Sequence, residues 1–130
     1  MHKGFLLAGS ALGALAVILG AFGAHKLKEI VPAETVNVFD TGVRYQFYHV
    51  FALIIVAILF DRFPGSALYW AGICFIIGII LFSGSLYIIT LLKARESVGI
   101  KGFGILTPVG GLFFVAGWLL LFAGFLKKAV

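Results

Sequence analysis

The sequence predicts an all-α integral membrane protein, a bundle of four transmembrane helices with a short interfacial helix before the second span. Of its 130 residues, 62% are hydrophobic and only 12% are charged, whereas soluble domains are about half apolar and a quarter charged. The mean hydropathy is +1.17, and the apolar residues form long blocks, which is typical of membrane spans. The length suits one domain, with spans at about 4–24, 41–60, 67–92 and 107–126.

The first predicted span is the apolar run Gly4–Ala24, whose 21 residues are enough to cross a bilayer. The run also resembles a secretory signal peptide, with Ala21 and Gly23 placed like a cleavage site, but it is long for the apolar region of such a peptide. We therefore interpret it as a helix that stays in the membrane. Gly9 and Gly13 form a GxxxG pair, which allows close packing either within one subunit or along a dimer contact.

The second predicted span is notable for its polar start. Its apolar part, Val50–Phe60, has eleven residues, whereas a span needs about 20, so the helix must begin near Thr41. Arg44, Gln46 and His49 then lie at membrane depth, where ionisable groups are costly and usually face the protein interior with a partner. The sequence therefore predicts a polar layer inside a membrane protein.

A short interfacial helix is predicted before this span. Pro32 suits the first turn of a helix, and Glu34 stands near the positive end of the helix dipole. Residues 32–40 would lie along the membrane surface and lead into the second span, with Gly42 as the position where a bend is easiest.

Two connections define the third and fourth spans. The turn Asp61–Ser66 contains the breaker Pro64–Gly65 and is so short that the second and third spans must be antiparallel neighbours. The connection Lys93–Phe103 precedes the fourth span, where Thr107 provides an N-cap and Pro108 occupies the first helical position.

Small residues mark a packing face on the fourth span. Gly110, Gly117 and Gly124 recur every seven residues, which places them on one face and favours close helix packing. Cys74 is the one cysteine of the chain, so the sequence allows neither an intrachain disulfide nor a cysteine metal site. We interpret Cys74 as a small core residue.

The polar residues of the four spans converge in one half of the membrane. Because alternate helices run in opposite directions, the end of the first span, the start of the second, the end of the third and the start of the fourth share one side. The other half is lined by Leu, Ile, Val, Phe and Ala. We predict a ligand-binding pocket in the polar half, with the candidate residues His25, Arg44, Tyr45, Tyr48, His49, Ser83, Ser85, Tyr87 and Thr107.

Arg44 has two interpretations. Asp40 lies four residues before it, which is the favourable order for a helical ion pair, so Arg44 can extend to the headgroups, pair with Asp40 and set the helix register. Alternatively, Arg44 holds an anionic headgroup or a small anion. In either case we expect its guanidinium near Asp40 or a tyrosine hydroxyl, and not against lipid tails.

The remaining candidates also have structural interpretations. His25 and His49 are interpreted first as hydrogen-bonded structural residues, with a proton relay or sensor and a metal ligand as alternatives. No cysteine or clustered acid completes a metal site, and we predict neither a metal nor a cofactor. Ser83 and Ser85 are interpreted as packing residues, because no base is spaced to activate either one. No phosphate loop, dinucleotide fingerprint or zinc-protease motif is present, so we predict no enzymatic activity.

The net charge of +5 does not indicate nucleic-acid binding, because the basic residues stand in short connections and at the chain ends. We call the membrane side with the first and third connections the connection side, and the side with both termini the terminal side. Basic residues are nearly balanced between the two sides, so they do not orient the protein. They are Lys26, Lys28, Lys93, Arg95 and Lys101 on the connection side, and Lys3, Arg62, Lys127 and Lys128 on the terminal side.

Four sequence blocks resemble the signature of a known family. They are Gly20-Ala-Phe-Gly-Ala-His25, Thr41-Gly-x-x-Tyr-Gln-x-Tyr-His49, Leu81-Phe-Ser-Gly-Ser-Leu-Tyr87 and Thr107-Pro-x-Gly-Gly111. In this order, across essentially the whole chain, they resemble the DUF423 family of small bacterial inner-membrane proteins, which is similar to the eukaryotic transmembrane protein 256. The resemblance implies a four-helix protein of the bacterial inner membrane and favours cytoplasmic termini. It implies no activity, substrate or catalytic residue.

Two functions stay open at this point. The first is a non-enzymatic membrane protein whose polar pocket binds a lipid headgroup, a small ligand or a partner helix. The alternative is a small transporter or channel for an ion or small solute, formed as an oligomer, while an enzyme acting on lipid is least supported. Beyond His49 the same face continues with Ala52, Ile55 and Leu59, so a single subunit is not expected to form a through-pore. The expected partners are the lipid bilayer and either a second copy or another membrane protein.

Overall fold

The computed structural model describes residues 1–63, 65–95 and 100–127. Four of its helices are long and apolar enough to cross a membrane, which confirms the predicted all-α fold class. Pro64, residues 96–99, Lys128 and the side chain of Lys101, all named in the predictions above, lie outside the described part. The helices are α1 (Lys3–Ala24), α2 (Leu27–Ile30), α3 (Ala33–Leu59), α4 (Ser66–Gly78), α5 (Gly84–Ala94), α6 (Ile100–Phe103) and α7 (Leu106–Leu126), and a π-helical segment (Ile79–Ser83) joins α4 and α5 into one third span.

The polar lead-in to the second span differs from its prediction. Pro32 is the N-cap of α3, and residues 33–40 form the first turns of the same continuous helix as the span. The short helix that precedes the second span is α2, and Val31 and Pro32 adopt extended backbone between the two helices. With 27 residues, α3 is about 40 Å long, which exceeds the hydrocarbon core of about 30 Å. Its first turns therefore reach into the interface without a separate helix.

The helices pack in sequence order. Helix α1 lies along α3, α3 lies against the third span, and the third span lies against α7. Gly9 and Gly13 of α1 face Ile54 and Val50 of α3, where an added Cβ would lie 2.9 Å from the Ile54 side chain and 3.4 Å from the Val50 side chain. The GxxxG pair therefore packs inside one subunit, as the first of the two interpretations expected.

The glycine face of α7 is also used inside the subunit. Gly110 packs on the backbone of Phe82, Gly117 on the ring of Phe75, and Gly124 on Leu68, all in the third span. Small residues let two helix backbones approach closely in lipid, where the gain comes from van der Waals packing. The predicted stripe thus becomes the contact between the third span and α7.

Two apolar clusters fill the bundle. The larger lies toward the terminal side and includes Leu53, Val56 and Phe75, while the smaller joins α2 to the first half of α3. The N-terminus closes over the terminal side, where the His2 backbone N–H donates to the Ala57 carbonyl at 2.8 Å and the Met1 ammonium pairs with Asp61. Along α3, the buried polar residues Gln46 and His49 consequently lie between the smaller cluster and the larger one.

Candidate functional site

Gln46 is the centre of a hydrogen-bonded layer in the connection half. Its side chain is only 1% exposed. Its Nε2 donates to the Leu12 carbonyl of α1 at 2.7 Å, and its Oε1 accepts from the Tyr87 hydroxyl of α5 at 2.6 Å. One buried amide therefore joins the first three spans, in a solvent that offers no water to replace either bond.

The serines of the third span extend this layer in two directions. Side chains two residues apart on a helix point to nearly opposite sides. Ser83 accordingly donates to the Gly42 carbonyl of α3 at 2.6 Å, while Ser85 donates to the Phe82 carbonyl and lies 2.6 Å from the Thr107 hydroxyl of α7. Both hydroxyls are therefore engaged in holding helices together.

His49 joins α3 to α7. Its Nδ1 lies 2.7 Å from the Tyr45 carbonyl, and its Nε2 lies 3.2 Å from the Trp118 indole nitrogen. An indole N–H can only donate, and a carbonyl can only accept, so the bonding pattern assigns the proton to Nδ1 and a neutral ring. The imidazole also stacks on Phe114 with ring centres 3.5 Å apart and an interplanar angle of 5°.

A lateral groove of about 630 Å³ opens between α3 and α7. Tyr45 stacks on Phe82 with ring centres 4.6 Å apart, and Phe82 of the third span lies between the two walls. Tyr48 is 56% exposed and Trp118 is 46% exposed, so the groove opens on the outer surface of the bundle. Its lining consists of Tyr45, Tyr48, His49, Phe82, Gly111, Phe114, Val115 and Trp118.

The structure places the predicted site residues in three separate environments. Tyr45, Tyr48 and His49 line the groove, whereas Ser83, Ser85, Tyr87 and Thr107 belong to the hydrogen-bonded layer. Arg44 belongs to neither, because its side chain is 57% exposed and its Nε lies 3.6 Å from the Asp40 carboxylate. His25 is exposed at the end of α1, outside the groove lining.

The sequence interpretation turned the wrong face of α3 inward. It selected Arg44, Tyr45 and Tyr48 as pocket candidates and left Gln46 out of the candidate residues. The buried face instead carries Gly42, Gln46, His49 and Leu53, at helical spacings of four, three and four residues. This spacing is visible in the sequence, but the interpretation gave more weight to the charge of Arg44 and to the tyrosines. A long cationic side chain can extend to the headgroups from the outer face of a helix, so its charge does not show that it points inward.

The groove residues contributed by the third span and α7 were also missed. Phe114 and Trp118 stand in an apolar run without a charged neighbour to mark them, and Phe82 lies in a signature block but was not selected as a candidate. Within the described chain, no group of three His, Cys, Asp or Glu side chains lies close enough to hold a metal ion. The arrangement as a whole offers an aromatic groove with two tyrosine hydroxyls beside it.

Comparison with known proteins identifies the family. Residues 19–111 match the family described as "Protein of unknown function (DUF423)". The chain is 39% identical over 126 residues to UPF0382 membrane protein YwdK of Bacillus subtilis (strain 168), covering 96% of this chain and 98% of the relative.

A second relative comes from Escherichia coli. The chain is 36% identical over 128 residues to UPF0382 inner membrane protein YgdD of Escherichia coli (strain K12), covering 98% of this chain and 93% of the relative. No solved structure matches the chain. The four-helix fold, the four sequence blocks and these matches agree, and the chain is a small membrane protein that belongs to the DUF423 family.

Proposed function

We propose that this protein is a non-enzymatic membrane protein that binds a phospholipid, with one acyl chain in the groove between α3 and α7. The groove itself carries the proposal, since it is lateral, aromatic and about 630 Å³ in volume. In a bilayer its opening meets lipid chains. An empty groove would leave its lining without van der Waals partners on one side, so an acyl chain that fits the groove gains contacts there.

Acyl chains are as apolar as the groove wall, so burial alone gives no preference for the groove over the bilayer. The affinity must come from the fit of the acyl chain to the groove and from the rigidity of the groove wall. Phe114 is held by the stacked His49 ring, which is fixed in turn by the bonds to Tyr45 and Trp118. A wall whose side chains are already ordered loses little conformational entropy when a ligand binds.

The hydrogen-bonding pattern supports a binding role over catalysis. Ser83 and Ser85, the hydroxyls that could serve as nucleophiles, both donate to backbone carbonyls. Nucleophilic catalysis needs a hydroxyl paired with a base. His49, the histidine in the groove, has both ring nitrogens engaged by Tyr45 and Trp118.

The proposal is tested by native mass spectrometry of the full chain released from detergent with added phosphatidylethanolamine. Gly111 lines the groove, and a Cβ there would meet only Phe82 at 3.9 Å, so a larger side chain can enter the groove without displacing a helix. We expect the wild type to retain a bound lipid and Gly111→Leu to lose it.

Gly84→Leu is the matched control. A Cβ at Gly84 meets nothing within 4 Å, and Gly84 does not line the groove, so this variant should retain lipid like the wild type. Equal retention by Gly111→Leu and Gly84→Leu would show that the bound lipid does not occupy the groove.

A further inference from the structure

We propose that the bound lipid is a phospholipid with a primary ammonium headgroup, recognised by the exposed pair Asp40 and Arg44. This inference rests on the proposed function, because it identifies the lipid whose chain lies in the groove. Its motivation is the order of the side chains along one face of α3. Asp40, Arg44 and Tyr48 are spaced four residues apart, so they form one row with steps of about 6 Å along the helix axis.

The order of this row matches the order of groups in such a lipid. Asp40 lies nearest the connection side, Arg44 one turn deeper, and Tyr48 at the groove another turn deeper. In a phospholipid the ammonium is outermost, the phosphate follows, and the ester groups lead into the acyl chains. A lipid whose chain lies against Tyr48 and Trp118 therefore brings its phosphate to Arg44 and its ammonium to Asp40.

Both charged groups are available to a ligand. Their side chains are 57% and 58% exposed, and the contact between Arg44 Nε and Asp40 Oδ2 is 3.6 Å, longer than a hydrogen bond. A guanidinium presents five N–H donors, and its terminal nitrogens suit the paired oxygens of a phosphate. In the described chain, Arg44 and Asp40 have no ion-pair partners other than each other.

The tyrosine hydroxyls add donors at the depth of the ester groups. Tyr45 and Tyr48 are 40% and 56% exposed, and neither hydroxyl has a hydrogen-bond partner among the described residues. Each can donate to an ester carbonyl or to a phosphate oxygen. Asp40, Arg44 and the two tyrosines would then contact the headgroup and the ester groups, while the groove holds the acyl chain.

The pair also predicts which headgroups are disfavoured. A primary ammonium donates hydrogen bonds to a carboxylate, whereas the quaternary ammonium of choline has no N–H to donate. An anionic headgroup such as phosphatidylglycerol offers Arg44 the same phosphate but places no cation beside Asp40 to offset the repulsion between that phosphate and the carboxylate. Phosphatidylethanolamine satisfies both members of the pair.

The experiment is competitive retention in native mass spectrometry. The full chain in detergent receives equimolar phosphatidylethanolamine, phosphatidylcholine and phosphatidylglycerol with identical acyl chains. We expect phosphatidylethanolamine to be retained about threefold to tenfold over each competitor. Asp40→Asn should remove the preference over phosphatidylcholine while the variant still retains lipid, and Arg44→Gln should weaken retention of all three lipids.

Glu34→Gln is the control variant, since Glu34 is an exposed acid on the same helix outside the row and should leave the preference unchanged. Equal retention of the three lipids, or unchanged preference in Asp40→Asn, overturns the inference while the proposed function stands, provided Gly111→Leu still loses lipid. Preference for phosphatidylglycerol also overturns it. Failure of the wild type to retain any lipid, or a dimer mass in its place, overturns the proposed function itself.

Discussion

At the scale of single residues, Gln46 contributes more to the packing of the spans than any charged side chain in the described chain. It bonds to α1 and to α5 from the middle of α3, and its side chain is almost fully buried. The ion pair of Arg44 and Asp40 is exposed on both sides, and exposed pairs contribute about 0–1 kcal/mol. The burial of the polar group, rather than its charge, decides its importance here.

Replacing Gln46 by leucine should destabilise the protein. Gln46→Leu preserves the side-chain volume approximately but leaves the Tyr87 hydroxyl without an acceptor, and a lost buried partner costs about 1–3 kcal/mol. Thermal or denaturant unfolding in detergent measures the change. In the double-mutant cycle of Gln46→Leu with Tyr87→Phe, we expect a coupling of about 0.6 kcal/mol, the average for hydrogen bonds between membrane helices, and no more than about 1.7 kcal/mol.

Tyr48→Phe is the control for the stability changes in this double-mutant experiment. The Tyr48 side chain is 56% exposed, and its hydroxyl has no described partner inside the protein, so its removal should change stability by less than about 0.5 kcal/mol. If Gln46→Leu and Tyr87→Phe proved strictly additive, the hydrogen bond between them would contribute nothing to the fold.

At the scale of the elements, the third span and α7 form the tightest helix pair among the described residues. Gly110 lies directly over the backbone of Phe82, at the π-helical segment where the third span departs from α-helical geometry. A π segment widens the helix by one residue and is often found near functional positions. Here it brings Phe82 both against α7 and into the groove.

Gly110→Ala should separate these two helices. An added Cβ would overlap the backbone nitrogen of Phe82, which cannot rotate away as a flexible side chain could. We expect a loss of about 1–3 kcal/mol in unfolding free energy, the usual cost of overpacking. Unfolding in detergent is again the measurement.

Gly111→Ala is the neighbouring control on the same helix. Its Cβ would lie 3.9 Å from the Phe82 side chain, which is an ordinary contact, so stability should stay near that of the wild type. Equal destabilisation by the two alanine variants would mean that the close approach at Gly110 does not determine the packing.

At the scale of the whole molecule, the buried polar side chains of the described spans belong to the first part of α3, up to His49, and to the last part of the third span, from Ser83 on. The terminal half is filled by the larger apolar cluster, in which Leu53, Val56, Ala57 and Phe75 have no exposed surface. A conducting path needs polar or hydrated surface across the whole hydrocarbon core. The glycine stripes, which could have joined subunits around a pore, are occupied by contacts within the subunit.

Reconstituted protein should therefore not conduct. In liposomes loaded for proton, potassium or chloride flux, we expect rates equal to those of empty liposomes. Flux well above that level, and abolished by Arg44→Ala or His49→Ala, would favour the alternative function of a transporter or channel.

The membrane topology is a second prediction at this scale. Four spans place both termini on one side, and we predict that this side is cytoplasmic. In a Cys74→Ala background, a cysteine at Ser66 should label from the cytoplasm and one at Gly102 from the outside, since both positions are exposed. Labelling of both from one side would contradict the arrangement of the spans, and reversed labelling would contradict only the orientation.

Much of the fold was predictable because it depends on local composition. The length of each apolar run, the turn after Phe60 and the helix start beside Pro32 are sequence-local features with one physical interpretation in a bilayer. The recurrence of glycine at every seventh residue of α7 likewise predicted a packing face correctly, since only close backbone contact requires residues without side chains at that spacing. The predicted N-cap at Thr107 was wrong, because α7 begins at Leu106 with Ile105 as its N-cap.

The sequence by itself therefore determined the membrane location, the number of spans and the glycine packing face, whereas the tertiary structure decided which polar residues are inside. In lipid both faces of a helix can be apolar, so hydrophobic periodicity does not show which face of α3 points into the bundle. That rotation depends on distant partners, namely the Leu12 carbonyl, Tyr87 and Trp118. Those contacts turn Gln46 inward and leave Arg44 at the surface, and they create the groove only where α3 and α7 meet the third span.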